Sequence, residues 1–141
     1  MTKFDTYPGS EEFSVTVDHY AVADGKYLYF DLPFTPSLFP ARTDQRQLPL
    51  YIPTGGRNRI STQITLPPEF RRLVIVPPDE KLAATGGTAL VTASEANGQF
   101  ALTHEMETTP AIVAPAEYPA LLSAESALRE KPARAFLLQA D

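Results

Sequence analysis

The sequence predicts a mainly β domain: an antiparallel β-sandwich of immunoglobulin-like architecture, with about seven to nine strands and one short helix near the C-terminus. Three observations predict it. Short apolar runs recur along the 141 residues with side chains alternating at the strand period of two; glycines and prolines punctuate those runs; and one stretch, after Pro115, has helical spacing.

Residues 12–17 open the series, with Phe13, Val15 and Val17 on one face. Asp24-Gly25 marks a tight turn into 27–32, where Leu28, Phe30 and Leu32 alternate with Tyr27, Tyr29 and Asp31. These two runs are expected to pair as a hairpin, and the second, apolar on both faces, to lie inside the sheet. Pro33, Pro36 and Pro40 lack the donor that a central ladder requires, so 33–47 reads as a long ordered loop. Residues 48–52 are a short strand candidate interrupted by Pro49. Thr54-Gly55-Gly56 then turns the chain into 58–66, in which Ile60, Thr62, Ile64 and Leu66 share a face before Pro67-Pro68 stops the strand.

The run Leu73-Val74-Ile75-Val76 is continuously apolar, the pattern of a strand covered on both faces, and Pro77-Pro78 ends it. On that reading Val74→Asp or Leu137→Asp would unfold the domain by placing an unpartnered charge in the core. Gly86-Gly87 leads into 89–93, and Asn97-Gly98 separates that segment from 100–106. An Asn-Gly pair is the strongest short-range hairpin signal, because both central residues of a type I′ turn need positive φ. Tyr118, Leu121, Leu122 and Leu128 then follow helical spacing, with Pro119 tolerated in the first turn and Pro132 closing the helix. Residues 135–138 are apolar enough for a last, buried strand. No repeat or linker interrupts the chain, so the expected organisation is a flexible segment over 1–10 and a single sandwich over 11–141.

With 43% hydrophobic and 21% charged residues, the chain is too apolar to stay disordered and long enough for one core. A net charge of -5 makes attraction to phosphate backbones or anionic lipid weak or repulsive, so nucleic acid is not an expected partner. Arg57, Arg59, Arg71 and Arg72 are spread over two segments and read as solvated strand ends rather than an anion site. The absence of cysteine removes disulfides, thiolate nucleophiles and the usual structural zinc sites, while leaving the compartment open. No stretch approaches the ~20 apolar residues of a membrane helix, and the N-terminus lacks the layout of a signal peptide, so no membrane insertion is expected. The abrupt polar start after Met1 fits a piece of a longer chain.

No catalytic residue, metal ligand or cofactor is expected. His19 and His104 continue apolar strand faces and read as core or cross-strand histidines. Glu11-Glu12, Asp79-Glu80 and the trio Glu105, Glu107 and Glu117 lack both the spacing of a calcium loop and the convergence of a glycosidase pair. Gly55-Gly56 and Gly86-Gly87 lack the lysine and helix of a phosphate loop, and Ser61 and Ser94 sit in no nucleophile motif. Aromatics are the remaining candidate: Tyr20, Tyr27, Tyr29 and Tyr51, with Phe34 and Phe39 nearby, could form a ligand-stacking platform for a glycan or peptide, although strand tyrosines commonly serve packing.

Four stretches carry a resemblance in their order: Phe30-Asp31-Leu32-Pro33; Arg46-Gln47-Leu48-Pro49-Leu50; Ile64-Thr65-Leu66-Pro67 leading to Val76-Pro77; and Glu117-Tyr118-Pro119-Ala120-Leu121-Leu122. Over about four-fifths of its length the chain thereby resembles the C-terminal β-rich domain of unknown function that follows a transglutaminase-like core in bacterial, often Bacteroidetes, envelope proteins. The resemblance implies a non-catalytic accessory domain, a preceding transglutaminase-like domain of the same polypeptide as partner, and a periplasmic or cell-surface location. In such proteins the Cys-His-Asp machinery belongs to the core, and a chain without cysteine cannot supply that nucleophile. Arg46 in this pattern reads as a structural group that ties down the proline-rich loop through a charge-assisted hydrogen bond.

Overall fold

The computed structural model describes residues 2–3, 10–11, 16–37, 45–70, 72–96 and 98–140. In chain order the elements are β1 (Thr2–Lys3), β2 (Ser10–Glu11), β3 (Val22–Asp24), β4 (Tyr27–Asp31), β5 (Leu50–Ile52), β6 (Gly56–Thr65), β7 (Arg72–Ile75), β8 (Glu80–Ala84), β9 (Gly87–Ala96), β10 (Gln99–Thr108), β11 (Ala111–Val113), α1 (Tyr118–Arg129), a 3-10 turn (Lys131–Ala133) and β12 (Ala135–Gln139).

The Asn97-Gly98 signal sets the first sheet. Ala96 pairs with Gln99 across it, leaving a two-residue turn in which Gly98 has φ +74°, and β9 and β10 run antiparallel over ten residues each. Thr85-Gly86 closes a second tight hairpin between β8 and β9, with Gly86 at φ +93°. The backbone conformation demands glycine there, and a Cβ on Gly86 would also approach Ile52 Cδ1 to 2.5 Å, a crowding that the end of the Ile52 side chain would have to relieve. With β6 on the far side of β10, the sheet order is β6-β10-β9-β8.

The second sheet has the order β3-β4-β12-β7, all antiparallel, and the small pair β5-β11 lies apart from both. Period-two alternation aims Phe100, Leu102, His104 and Met106 of β10, and Ala89 and Val91 of β9, into the core. Phe136 of β12 meets them from the other sheet: its ring stacks on Phe30 at 5.0 Å and stands edge-on to Phe100 at 5.0 Å. This is the predicted β-sandwich. Helix α1 packs beside β8 and adds Tyr118, Leu121 and Leu128 to the same core. Pro119 sits in its first turn, as expected.

Ten strands of three or more residues occur among the described residues, one above the predicted range. The strands that the sequence did not predict are β3, β8 and β11, too short or too mixed for periodicity to reveal. Two further readings need correction. The turn at Asp24-Gly25 is present, but the strand that pairs with β4 is β3, through Val22↔Tyr29 and Asp24↔Tyr27, because a two-residue turn can only join the strands that flank it. Of the expected first strand, 12–15 lie outside the described residues, and Thr16 and Val17 are not in a strand. The run Leu73-Val74-Ile75-Val76 is no doubly covered strand: β7 is an edge strand, Val74 is 46% exposed, and Leu137 is half-buried, while the core positions of β12 are Phe136 and Leu138. Of the segment expected to be flexible, 1 and 4–9 lie outside the described residues; Thr2–Lys3 pairs with Ser10–Glu11.

Candidate functional site

The sandwich has two outward faces of opposite character. On the first sheet, alternation turns Arg57, Arg59, Glu105, Glu107 and Thr103 outward. Register places Glu107 beside Arg57 and Glu105 beside Arg59, and both pairs form ion pairs, at 3.2 Å and 3.4 Å. The arginines thus have their counter-charges, the solvated face expected of them; Arg71 lies outside the described residues, and Arg72 is on the other sheet.

The second sheet presents a row of apolar groups instead. Val22 lies opposite Tyr29, Tyr29 opposite Leu137, and Leu137 opposite Ile75, so one side chain from each of the four strands projects from the same face. Between Leu137 and Leu138 the β12–β7 register shifts, and Val74 is the residue left without an opposite number. The bulge twists the edge and brings both Val74 and Ile75 toward solvent. Val22 is 62% exposed and Ile75 49%. Val22, Tyr29, Leu137 and Val74, with Tyr27 and Asp24, line a shallow recess of about 400 Å³. The exposed apolar groups are thus gathered in one strip across the sheet rather than scattered singly.

Hydroxyls hold the strip's shape. Tyr29 donates to Asp31 Oδ1 at 2.7 Å, and this bond, which only the protonated phenol can make, holds the Tyr29 hydroxyl above the usual tyrosine range, with smaller contributions from desolvation and the Asp31 charge. Tyr20 donates to the Asp31 backbone carbonyl; desolvation and then the Asp31 charge raise its hydroxyl in the same direction. Lys26 Nζ lies 5.6 Å from the Tyr27 ring centroid.

Of the four predicted stacking residues, Tyr27 and Tyr29 thus share the recess, and Tyr20 is tied to the strand that carries them. Tyr51 is not with them: it is on β5, opposite Ile112 of β11. The groups that sequence reasoning missed are Val22, Val74, Ile75 and Leu137. Their signal lay in the run at 73–76, since adjacent apolar residues on a strand point to opposite faces and one of them must leave the core.

The histidines divide. His104 is buried at 1% exposure between the sheets, edge-on to Phe34 at 6.2 Å, and neither ring nitrogen has a hydrogen-bond partner among the described residues. It is the expected core histidine, and burial pushes its pKa below the ordinary imidazole value. His19 is in a turn rather than on a strand face, exposed, with φ +55°. Among the described residues no three His, Asp or Glu converge as metal ligands would, and no helix is long and apolar enough to cross a membrane.

The acidic groups serve local structure. Glu117 Oε2 accepts the Ala114 N–H and its Oε1 accepts the Thr85 hydroxyl, both at 3.0 Å; the backbone bond first, then the hydroxyl, holds the carboxyl below its usual range. Asp79 Oδ1 accepts the Ala93 N–H at 2.6 Å, and Glu125, buried on α1, accepts the Ser37 hydroxyl at 2.6 Å. Arg46 reaches the Leu48 carbonyl at 3.4 Å through Nε and stacks its guanidinium 5.4 Å from the Tyr118 ring centroid. Arg46 therefore joins the end of its loop to helix α1, so two of the four sequence stretches singled out above meet in space; residues 38–44 of that loop lie outside the described residues.

The family described as "Domain of Unknown Function with solved-structure structure (DUF3858)" matches residues 26–138. No curated protein matches. Among solved structures, a protease-like protein of Parabacteroides distasonis ATCC 8503 is similar in fold, with a TM-score of 0.68 at 16% identity over 83% of this chain. The matched region is 24% of that protein's chain, so this chain spans about a quarter of the length of the structure it resembles.

Proposed function

From its membership of the DUF3858 family, a family of unknown function, we propose that the chain is an accessory domain, without catalytic groups of its own, in a longer polypeptide built around a transglutaminase-like or protease-like core. One observation carries the reading: the same fold makes up 24% of a protease-like chain, leaving the larger share of that chain to supply the chemistry. The four ordered stretches from Phe30 to Leu122 support the same setting, and with it a periplasmic or cell-surface location. In this role the sandwich supplies a rigid framework and a contact surface.

The test has two steps. Sequencing the genomic DNA upstream of the Met1 codon should extend the reading frame into a domain containing a cysteine nucleophile and, further upstream, a signal peptide. Amide-bond hydrolysis and acyl transfer are then assayed on the full polypeptide and on the 141-residue chain alone. Activity confined to the full polypeptide is the expected outcome; turnover by the isolated chain at a comparable rate would overturn the reading.

A second reading is favoured by one feature, the recess floored by Tyr27 and Tyr29, which has the aromatic lining of a glycan- or peptide-binding cleft. It requires saturable binding of an oligosaccharide or peptide by the isolated chain, lost in Tyr27→Ala. A flat titration across a glycan and peptide library removes it.

A further inference from the structure

We infer that residues 19–25 form a hinged strap that opens separately from the sandwich, and that its opening removes one wall of the recess at Tyr27 and Tyr29 and bares the edge of β4. Both ends of the strap are marked by backbone conformation. Gly25, at φ +55° in open space, makes the turn into β4; His19, also at φ +55°, is the one non-glycine residue with positive φ among the described residues. Between them β3 is three residues long, exposed at every one, and hydrogen-bonded on one side only. A unit with few buried contacts and solvent-exposed backbone bonds opens at lower free energy than the body of its domain. The family-matched region begins at residue 26, so the strap lies outside the pattern by which the family is recognised.

A single side chain fastens the far end. The register that sets Asp24 opposite Tyr27 and Val22 opposite Tyr29, carried two residues further, brings Tyr20 opposite Asp31. The backbone ladder stops short of that position, and the Tyr20 hydroxyl takes its place, donating to the Asp31 carbonyl. The same bond shows which backbone groups the strap covers. On the other side of β4, the Lys26 carbonyl accepts from the Ala140 N–H at 2.8 Å and the Leu32 N–H donates to the Arg134 carbonyl at 2.9 Å, both towards β12. Alternation along β4 therefore directs the backbone groups of Leu28 and Phe30 to β12, and those of Tyr27, Tyr29 and Asp31 to the strap.

Opening changes two things at once. Val22 and Asp24 line the recess beside Tyr27 and Tyr29, so their departure leaves it without that wall. It also turns β4 from an interior strand into an edge of five residues without proline, whose outward backbone groups then meet water. The other edges of the two large sheets carry fixed guards: ion-paired arginines on β6, the bulge and bracketing prolines on β7, and α1 packed beside β8. β4 is guarded instead by a strand that can leave.

Native-state amide exchange of the 141-residue chain, followed by NMR across low urea concentrations, separates strap from sandwich because the two sets of amides alternate on one strand. The N–H groups of Tyr27 and Tyr29 should exchange at least about tenfold faster than those of Leu28 and Phe30, at rates that barely change with urea, whereas Leu28 and Phe30 should follow the urea dependence of global unfolding. Tyr20→Phe removes the fastening bond and should speed Tyr27 and Tyr29 by roughly three- to tenfold, the range for one net hydrogen bond. Equal protection and a shared urea dependence at all four amides would make β3 an integral strand and overturn the inference. Unchanged exchange at Tyr27 and Tyr29 in Tyr20→Phe would overturn it as well, since their opening would then leave the end of the strap in place. Neither result bears on the accessory role.

Discussion

Phe136 and Val74 give the most direct test of how the second sheet is built, because the continuous apolar run at 73–76 suggests the opposite ranking. Phe136 has no exposed surface, stacks on Phe30 and meets Phe100 edge-on, each at 5.0 Å. Truncation to alanine removes a full aromatic ring from the junction of the two sheets, where flanking strands hydrogen-bonded on both sides of β12 cannot collapse into the gap. The cost expected for Phe136→Ala is about 3–5 kcal/mol. For a domain of this size that corresponds to roughly 10–16 °C in Tm, a large part of a total stability of about 5–15 kcal/mol. Val74→Asp puts its charge on the outer, unpaired side of the bulge in β7, where water solvates it, and should cost no more than about 1 kcal/mol, the span of the strand propensity scale. Urea and thermal unfolding followed by circular dichroism measure both. A Val74→Asp variant as damaged as Phe136→Ala would mean that β7 is covered on both faces and that the apolar strip is not a surface at all.

Stability should also depend on pH through His104. Burial lowers its folded pKa below the unfolded value of about 6.5, so below that pH the unfolded chain takes up a proton that the native chain resists; stability present at neutral pH is lost as pH falls, with a slope of at most about 1.4 kcal/mol per unit. His104→Leu should flatten that slope and leave stability at pH 8 unchanged or higher, because neither ring nitrogen has a partner among the described residues. Gly86→Ala should lower Tm well beyond Gly25→Ala: Gly25 is at φ +55° in open space, and Gly86 combines φ +93° with the 2.5 Å approach to Ile52 Cδ1. Glu117→Gln should speed amide exchange at Ala114 and in the first turn of α1, and the wild-type protection should fade as acid neutralises the carboxylate; unchanged exchange would show that Glu117 is a bystander.

The fold was legible where local chemistry dictates it. Asn97-Gly98 permits one turn type, Pro119 and Pro132 bracket one helix, and the alternation through 100–106 assigns one face to the core; each follows from backbone sterics or a period that tertiary structure rarely overrides. Legibility failed where two arrangements share one pattern. An apolar tetrapeptide suits a strand covered on both faces and equally an edge strand that turns apolar side chains to solvent, and only the partners of β7 distinguish them. His104 shows the same limit: its place among core residues could be read from Phe100 and Leu102, while the absence of hydrogen-bond partners depends on what the opposite sheet brings. Of the candidate tyrosines, Tyr27 and Tyr29 lie two apart on one strand and had to share a face, but grouping Tyr51 with them needed a pairing that β5 makes with β11 instead.

The two outer faces also bear on how the sandwich protects its open edges. β6, at one edge of the first sheet, is a ten-residue strand carrying Arg57 and Arg59, and charge on an exposed edge discourages pairing with another chain. β7, at the edge of the second sheet, has four residues and no charge beyond Arg72; it is kept short by Pro67-Pro68 before it and Pro77-Pro78 after it, and bent by the bulge at Val74. That protection works against strand addition while leaving the apolar face beside it open. The prolines and the bulge thus make end-to-end sheet extension the contact that this edge is built to refuse, although Val22, Val74 and Ile75 leave the neighbouring face apolar.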